Sequence, residues 1–390
     1  MKVNVFNRGL MVLLVLALAA LACGGGGVEP TATRQPRPTQ PPQATATEVE
    51  EEPTDEPEPT DEPEPDPTDE PEPDPTEDLG GNIDFTLSAE PYTHPSGAFS
   101  LTLPEGWEID ERDNSIFVVS PDNVVAIEVS YVNVAEPLDE EGLTSFILAV
   151  EDNWFATYPN YAAGDLEPQA DGSLGVFKTL ELEEGGTPQS VFSYYWQEEQ
   201  IVYEQDFWVN SDEYDAYVDG LLEVANSMVT EPSAGAAATP YAVTYTFTGP
   251  DSLFEFSVPY AWTYTASEDE NSLVDIFTSP DGLTYVENIT YDDGENISKS
   301  EAGAFARFLL QEYYEVDDIV ITDDQVQSDG SERLNWYSES LGVDGTSFFE
   351  TRGTTFLLLT WVVDTAVYDQ YFPVWENLVN SYAIPEAPQG

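Results

Sequence analysis

Three chemically busy residue classes are nearly missing from this chain. Of 390 residues one is cysteine (Cys23), one is histidine (His94), and ten are lysine or arginine against 76 aspartates and glutamates. A single cysteine excludes an internal disulfide. One cysteine and one histidine exclude zinc sites built from those residues and leave one possible base for a serine or cysteine triad. No glycine-rich phosphate loop is present. The shortage of bases argues against nucleic acid as a partner, because an acidic surface repels phosphate backbones, and it disfavours anionic lipid headgroups for the same reason. Long apolar runs are scarce too. The one from Leu10 to Ala22 is shorter than the roughly 20 residues needed to span a bilayer.

The acidity is spread along the chain. Residues 1–80 hold 18 acids and four bases, leaving 58 acids and six bases for residues 81–390, a net charge near −52. The folded part is therefore acidic in its own right. Cations, basic proteins or a salty medium are compatible surroundings. The plainer expectation is that the charge keeps an exported protein soluble and monomeric.

Lys2 and Arg8 precede the apolar run, which ends Ala20-Leu21-Ala22-Cys23 before four glycines. A basic start, a short apolar stretch and small residues before a cleavage point describe a secretory signal. The segment resembles the lipobox of bacterial lipoproteins, although Ala20 and Leu21 stand in the opposite order to the usual motif. That resemblance implies a signal peptide over 1–23 ending at an acylated Cys23, and a protein held on the cell membrane, outside the cytoplasm, by its lipid. The alternative is ordinary cleavage with Cys23 left as a free thiol. Residues 24–88 then form a linker. From Glu48 to Asp78 it carries 17 acids, nine prolines and no base. Residues 24–80 build no core and are expected to be a disordered, extended spacer, with a ceiling on the order of 170 Å at about 3.1 Å per residue. A binding tail for basic proteins or divalent ions is the rival reading.

The remainder is written twice. FSLTLPEGW at 99–107 answers FEFSVPYAW at 254–262, each an alternating strand that stops at a proline and closes on a tryptophan. Ser120-Pro121-Asp122 answers Ser279-Pro280-Asp281. A helical face from Leu143 to Trp154 answers one from Ala302 to Tyr313. Three strands follow in each half, near 174–182, 190–196 and 201–209, then 332–339, 346–352 and 354–363, with Trp208-Val209 matched to Trp361-Val362. Terminal helices end at Asn226-Ser227 and Asn380-Ser381, the second interrupted by Pro373, where a kink or a late start is expected. The spacing predicts a tandem duplication, with domains at 89–231 and 240–384. The small-residue link between them, 231–240, is expected to permit some reorientation. Strands and helices do not alternate, so the fold class is α+β, each domain an antiparallel sheet flanked by helices. On the FSLTLPEGW stretch, the paired strands and the mid-domain helix, each half resembles the PsbP-like superfamily, which includes DcrB-type bacterial lipoproteins. The resemblance implies a fold with binding or assembly roles and brings no catalytic motif.

Chemistry is thinly represented. His94, just before the first strand, is expected to be an incidental surface residue. Glu268-Asp269-Glu270, Asp292-Asp293-Gly294-Glu295 and Asp323-Asp324 are expected in solvated loops, without the spacing of a calcium-binding helix-loop-helix. With so many acids, carboxylate pairs are uninformative from sequence. Tyr194, Tyr195 and Trp196 are adjacent, so they point to opposite faces, and one is exposed unless helices cover both. No catalytic, cofactor or metal residue is nominated; the one candidate modification site is Cys23. The expected function is a surface-anchored, non-catalytic binding or scaffold module. The alternatives are a carrier of a small apolar or glycan ligand, or a hydrolase using two carboxylates.

Overall fold

The computed structural model describes residues 85–314, 316–326 and 331–384. The signal segment, Cys23 and all but the last few residues of the 24–88 linker lie outside the described residues.

The first half holds β1 (Glu108–Glu111), β2 (Ser115–Val119), β3 (Val125–Asn133), β4 (Ala162–Ala163), β5 (Leu174–Glu181), β6 (Pro188–Glu198) and β7 (Ile201–Asn210). They form an antiparallel sheet in the order β1-β2-β3-β7-β6-β5-β4, with Glu167–Pro168 also pairing β5. The second half holds β8 (Thr263–Asp269), β9 (Ser272–Thr278), β10 (Thr284–Asp292), β11 (Val320–Val326), β12 (Glu332–Ser338), β13 (Val343–Arg352) and β14 (Thr355–Asp364). Their order, β8-β9-β10-β14-β13-β12-β11, is the same path. Helix α1 (Glu140–Asn153) precedes β4 and α3 (Lys299–Tyr314) precedes β11, while α2 (Tyr214–Asn226) and α4 (Tyr368–Ser381) follow the last strand of each half. The class is α+β, with two sheet-rich domains.

Local chemistry explains the elements. In β3, VAIEVSYVN alternates buried and half-buried positions along its whole length. Helix α1 starts at Asp139, whose side chain accepts the Gly142 amide, and Glu140 and Glu141 suit its positive end. Ser227 accepts the Thr102 amide at 2.8 Å and donates to the Val224 carbonyl; Ser381 does the same with Ser257, at 2.8 Å, and Leu378. The Ser-Pro-Asp turns match as well, Ser120 donating to Asp122 and Ser279 to Asp281 at 2.6 Å each.

Each sheet is covered on both faces. One core lies between the first sheet and α2, around Phe99, Ile127, Phe207 and Leu221. A second lies between the other sheet and α3, around Leu334, Trp336 and Leu358. The third is shared: Phe146, Val150 and Trp208 under α1 continue into Phe254, Trp262, Trp361 and Trp375. Tyr195 is therefore fully buried, while Tyr194 packs on Phe207 and Trp196 stacks on Tyr203 at 5.4 Å.

Several expectations are corrected. Trp208 and Trp361 are not equivalent: Trp208 pairs with Ala126 and Trp361 with Val286, so Trp361 stands at the register position of Phe207. One residue of slip in a strand exchanges faces. Trp208 accordingly meets Phe155 near α1, and Trp361 meets Trp375 of α4. Helix α4 starts at Tyr368 and runs through Pro373. Pro373 lies in its second turn, where the missing amide removes a single helical bond. The link is docked. A helical turn at Pro232–Gly235 sits on Ile201, close enough that a β-carbon on Gly235 would meet it at 3.2 Å. Asn133 holds the carbonyls of Ala236 and Ala238. Small residues here permit close packing. Asp323 and Asp324 lie within β11, paired with Arg333 and Arg307, and Glu268 and Asp269 within β8.

Asn153 knits the two halves, donating to the carbonyls of Tyr260 (2.7 Å) and Trp262 (2.9 Å). Asn153→Ala is expected to cost about 1–3 kcal/mol, measured by denaturant unfolding, because it strands two carbonyls in a packed seam.

Candidate functional site

The pairing of β3 with β7 sets Glu128 opposite Asp206 and Ser130 opposite Glu204. Alternation puts all four on the face toward α1. On the other side of β7, β6 brings Ser193 opposite Asp206 and Tyr195 opposite Glu204. Above this polar floor lie Phe146 and Val150 of α1, with Trp154 and Phe155 just beyond its end. Tyr241, Val243, Tyr260 and Ala261 of the link and second half complete a cavity of about 170 Å³. Trp154 meets Tyr260 edge-on at 5.0 Å.

The floor is strongly acidic. Asp206 is 3% exposed and accepts from Ser193. Ser130 donates to Glu204 Oε2 at 3.3 Å. Glu204 is partly buried as a whole, but its Oε1 is shut off from solvent without a hydrogen-bond partner. The Tyr195 hydroxyl lies between two carboxylates, 3.2 Å from Glu151 Oε1 and also within bonding reach of Glu204, and its one proton serves one of them at a time. Glu151 also accepts from Tyr161 and pairs with Lys178, a fully buried lysine. The Lys178 ammonium rests 3.1 Å above the centre of the Phe155 ring. At the rim Arg112 reaches Glu128 at 3.6 Å.

Crowding of acids in a dry place raises their proton affinity. Burial, with the Glu204 charge, pushes the Glu128 carboxyl up to about 7, Arg112 pulling the other way. Burial raises Glu204, against hydrogen bonding and Lys178. Burial and the Glu204 charge raise Asp206 well above the usual carboxylate range.

The second half is an internal control. Glu287 faces Thr360 as Glu128 faces Asp206, and Ile289 faces Leu358 as Ser130 faces Glu204. Phe349 stands opposite Leu358, where the first half has Tyr195 opposite Glu204. By the same register Trp336 replaces Lys178, and Leu310, eleven residues into α3, replaces Glu151, eleven into α1. Apolar side chains fill what is polar in the first half. Of the acids only Glu287 persists, bonded by the Tyr314 hydroxyl and pushed by burial up to about 8, while Ser347 keeps the place of Ser193 and bonds Thr360.

Residues singled out from sequence lie elsewhere. His94 is buried rather than on the surface. Its Nε2 donates to the Arg112 carbonyl at 2.9 Å, Nδ1 accepts from Ser96, and the ring stacks on Phe99, a structural role that every polar atom of the imidazole shares. Asp292 and Asp293 cap their own turn through the amides of Gly294 and Glu295. Among the described residues no three carboxylate, histidine or cysteine groups converge to hold a metal ion. Sequence reading passed over Glu128, Glu204 and Asp206. Their signal was acids at buried positions inside otherwise apolar strands, IVYEQDFWVN above all, where the second half has TFLLLTWVVD.

No family model matches the chain, and the comparison with curated proteins finds no match. Among solved structures, it is similar to cyanobacterial PsbP (CyanoP) from Synechocystis, at 12% identity and TM-score 0.30, over 40% of this chain and all of the other. A structure from Bacteroides thetaiotaomicron is similar at 12% identity and TM-score 0.26, over 45% of this chain and 56% of the other. The immunity protein TplEi of the Pseudomonas aeruginosa type VI secretion system is similar at 14% and 0.21, over 72% and 97%. Among the described residues no helix is long and apolar enough to cross a membrane.

Glu128 and Glu287 keep protons that the unfolded chain releases above about 4.5, so native stability falls as pH rises from there through about 7 and 8. Asp122, Asp171 and Asp292 have lowered values and act oppositely, their stabilisation fading below the ordinary aspartate range. Melting temperature is therefore expected to peak at about pH 4, between the ordinary aspartate and glutamate values where the two trends meet, and to decline toward about pH 8. Glu287→Gln should flatten that decline in a calorimetric pH series.

Proposed function

We propose that the chain is a lipid-anchored, extracytoplasmic binding protein. The lipobox-like end at Cys23 supplies the anchor, the acidic proline-rich segment the spacer, and two PsbP-like domains, 89–231 and 240–384, a non-catalytic binding module derived from one doubled unit. The shared strand order and matching serine caps support the doubling. One observation carries the binding role: a cavity of about 170 Å³ over an acidic sheet face in the first half, where the matching positions of the second half carry mostly apolar side chains. Carboxylates gathered on a cavity floor are expensive to keep. Hence the carrier reading is favoured within the module. Engineered cavities of about 150 Å³ take up benzene, so a ligand of similar size fits.

The test is a thermal-shift screen of the full-length chain in detergent with benzene-sized molecules, run beside Ala261→Trp, which fills the cavity. At least one compound is expected to stabilise the natural chain and not the variant. Equal behaviour of the two proteins across the screen would return the module to a scaffold role.

A further inference from the structure

We infer that the first-half cavity is a site for a small protonated amine, held between the carboxylates of Glu204, Asp206 and Glu128 and the rings of Trp154, Phe155 and Tyr260. This rests on the binding reading above and names the ligand class. Four observations converge on it.

The first is charge. The cavity floor presents three carboxylates, and Arg112 pairs with Glu128 at the rim. Among the described residues Glu204 and Asp206 have no ion-pair partner of their own, Lys178 being bonded to Glu151 and reaching them only through space. Buried carboxylates lacking a counter-charge are stable only when protonated or when a cation joins them. The second is a vacant acceptor. Glu204 Oε1 is enclosed, and among the described residues the only donor near it is the Tyr195 hydroxyl, whose one proton it shares with Glu151. An N–H donor entering the cavity satisfies it; a neutral hydrocarbon does not, and a quaternary ammonium has no proton to give.

The third is the wall. Trp154 and Tyr260 lie edge to face at 5.0 Å above the acidic floor, and ring faces attract ammonium groups. The protein already binds one ammonium this way: Lys178 Nζ lies between the Glu151 carboxylate and the Phe155 ring, and Phe155 also lines the cavity. The fourth concerns the alternative of a bare metal ion. Calcium wants six to eight oxygen ligands around a point, whereas no three acidic groups among the described residues converge on one. Carboxylates spread along a strand pair suit a cation whose charge sits on an organic body.

Isothermal titration of the full-length chain in detergent with benzylamine, its uncharged isostere benzyl alcohol, tetramethylammonium and calcium chloride tests the inference. Benzylamine is expected to bind at least tenfold more tightly than benzyl alcohol and more tightly than tetramethylammonium. Glu204→Gln is expected to abolish that preference while keeping the native circular dichroism spectrum. Asp139→Ala, which removes the α1 cap away from the cavity, serves as a comparably destabilised variant and should keep the amine preference. Equal binding of benzylamine and benzyl alcohol overturns the amine assignment and leaves a binding cavity standing. Amine binding unaffected by Glu204→Gln overturns the site. Calcium binding that is tighter than any amine and lost in Glu204→Gln overturns the ligand class. No heat from any probe, together with no stabilisation in the wider thermal-shift screen, sinks the binding reading itself.

Discussion

The pairing of β3 with β7, and of β10 with β14, is the constraint from which everything else in this protein follows. Both faces of these four central strands are covered, so the period-two alternation assigns their side chains to one of two cores, with little solvent face to absorb an error. The register that puts Glu128 against Asp206 also puts Ile127 against Phe207 on the opposite side. Polar residues collect under α1 and apolar ones under α2. A slip of one residue would drive Glu204 and Asp206 into the α2 core, where nothing accepts them.

Within that frame the two halves use one backbone for different interiors. In the second, Trp336, Phe349 and Leu358 interlock beneath α3, and the Trp336 ring fits over Gly345, where a β-carbon would stand 2.1 Å away. In the first, the same positions carry a lysine, a tyrosine and a glutamate that satisfy one another incompletely. Buried charge of this kind seldom adds stability compared with well-packed apolar side chains. The second half keeps buried acids too, Glu287 and Asp275, but only the first gathers several of them on the floor of one cavity.

Much of the architecture was legible in the residues. Strands from 174 to 209 and from 332 to 363 were placed nearly to the residue, because alternation and apolar runs record burial directly. The Asn-Ser and Ser-Pro-Asp pairs marked caps and turns that recur with the same bonds. What escaped notice depended on contacts distant in the chain. Trp208 and Trp361 align by eye, yet only strand pairing reveals that they face opposite ways. His94 reads as incidental until the Arg112 carbonyl and Phe99 close around it. EPSAGAAATP reads as a hinge, since small residues serve flexibility and close approach alike; Ile201 and Asn133 decide which. The acids of the cavity were hidden by abundance, three carboxylates in a chain with dozens.

Tyr260 and Ala261 belong to the second half but wall the space above the first sheet. Once a corner of one half has become part of the other's interior, the halves are no longer independent beads. Losing, shuffling or transplanting either one would leave the survivor with an opened interior and an uncovered seam. Two similar sheets form an obligate partnership inside a single polypeptide.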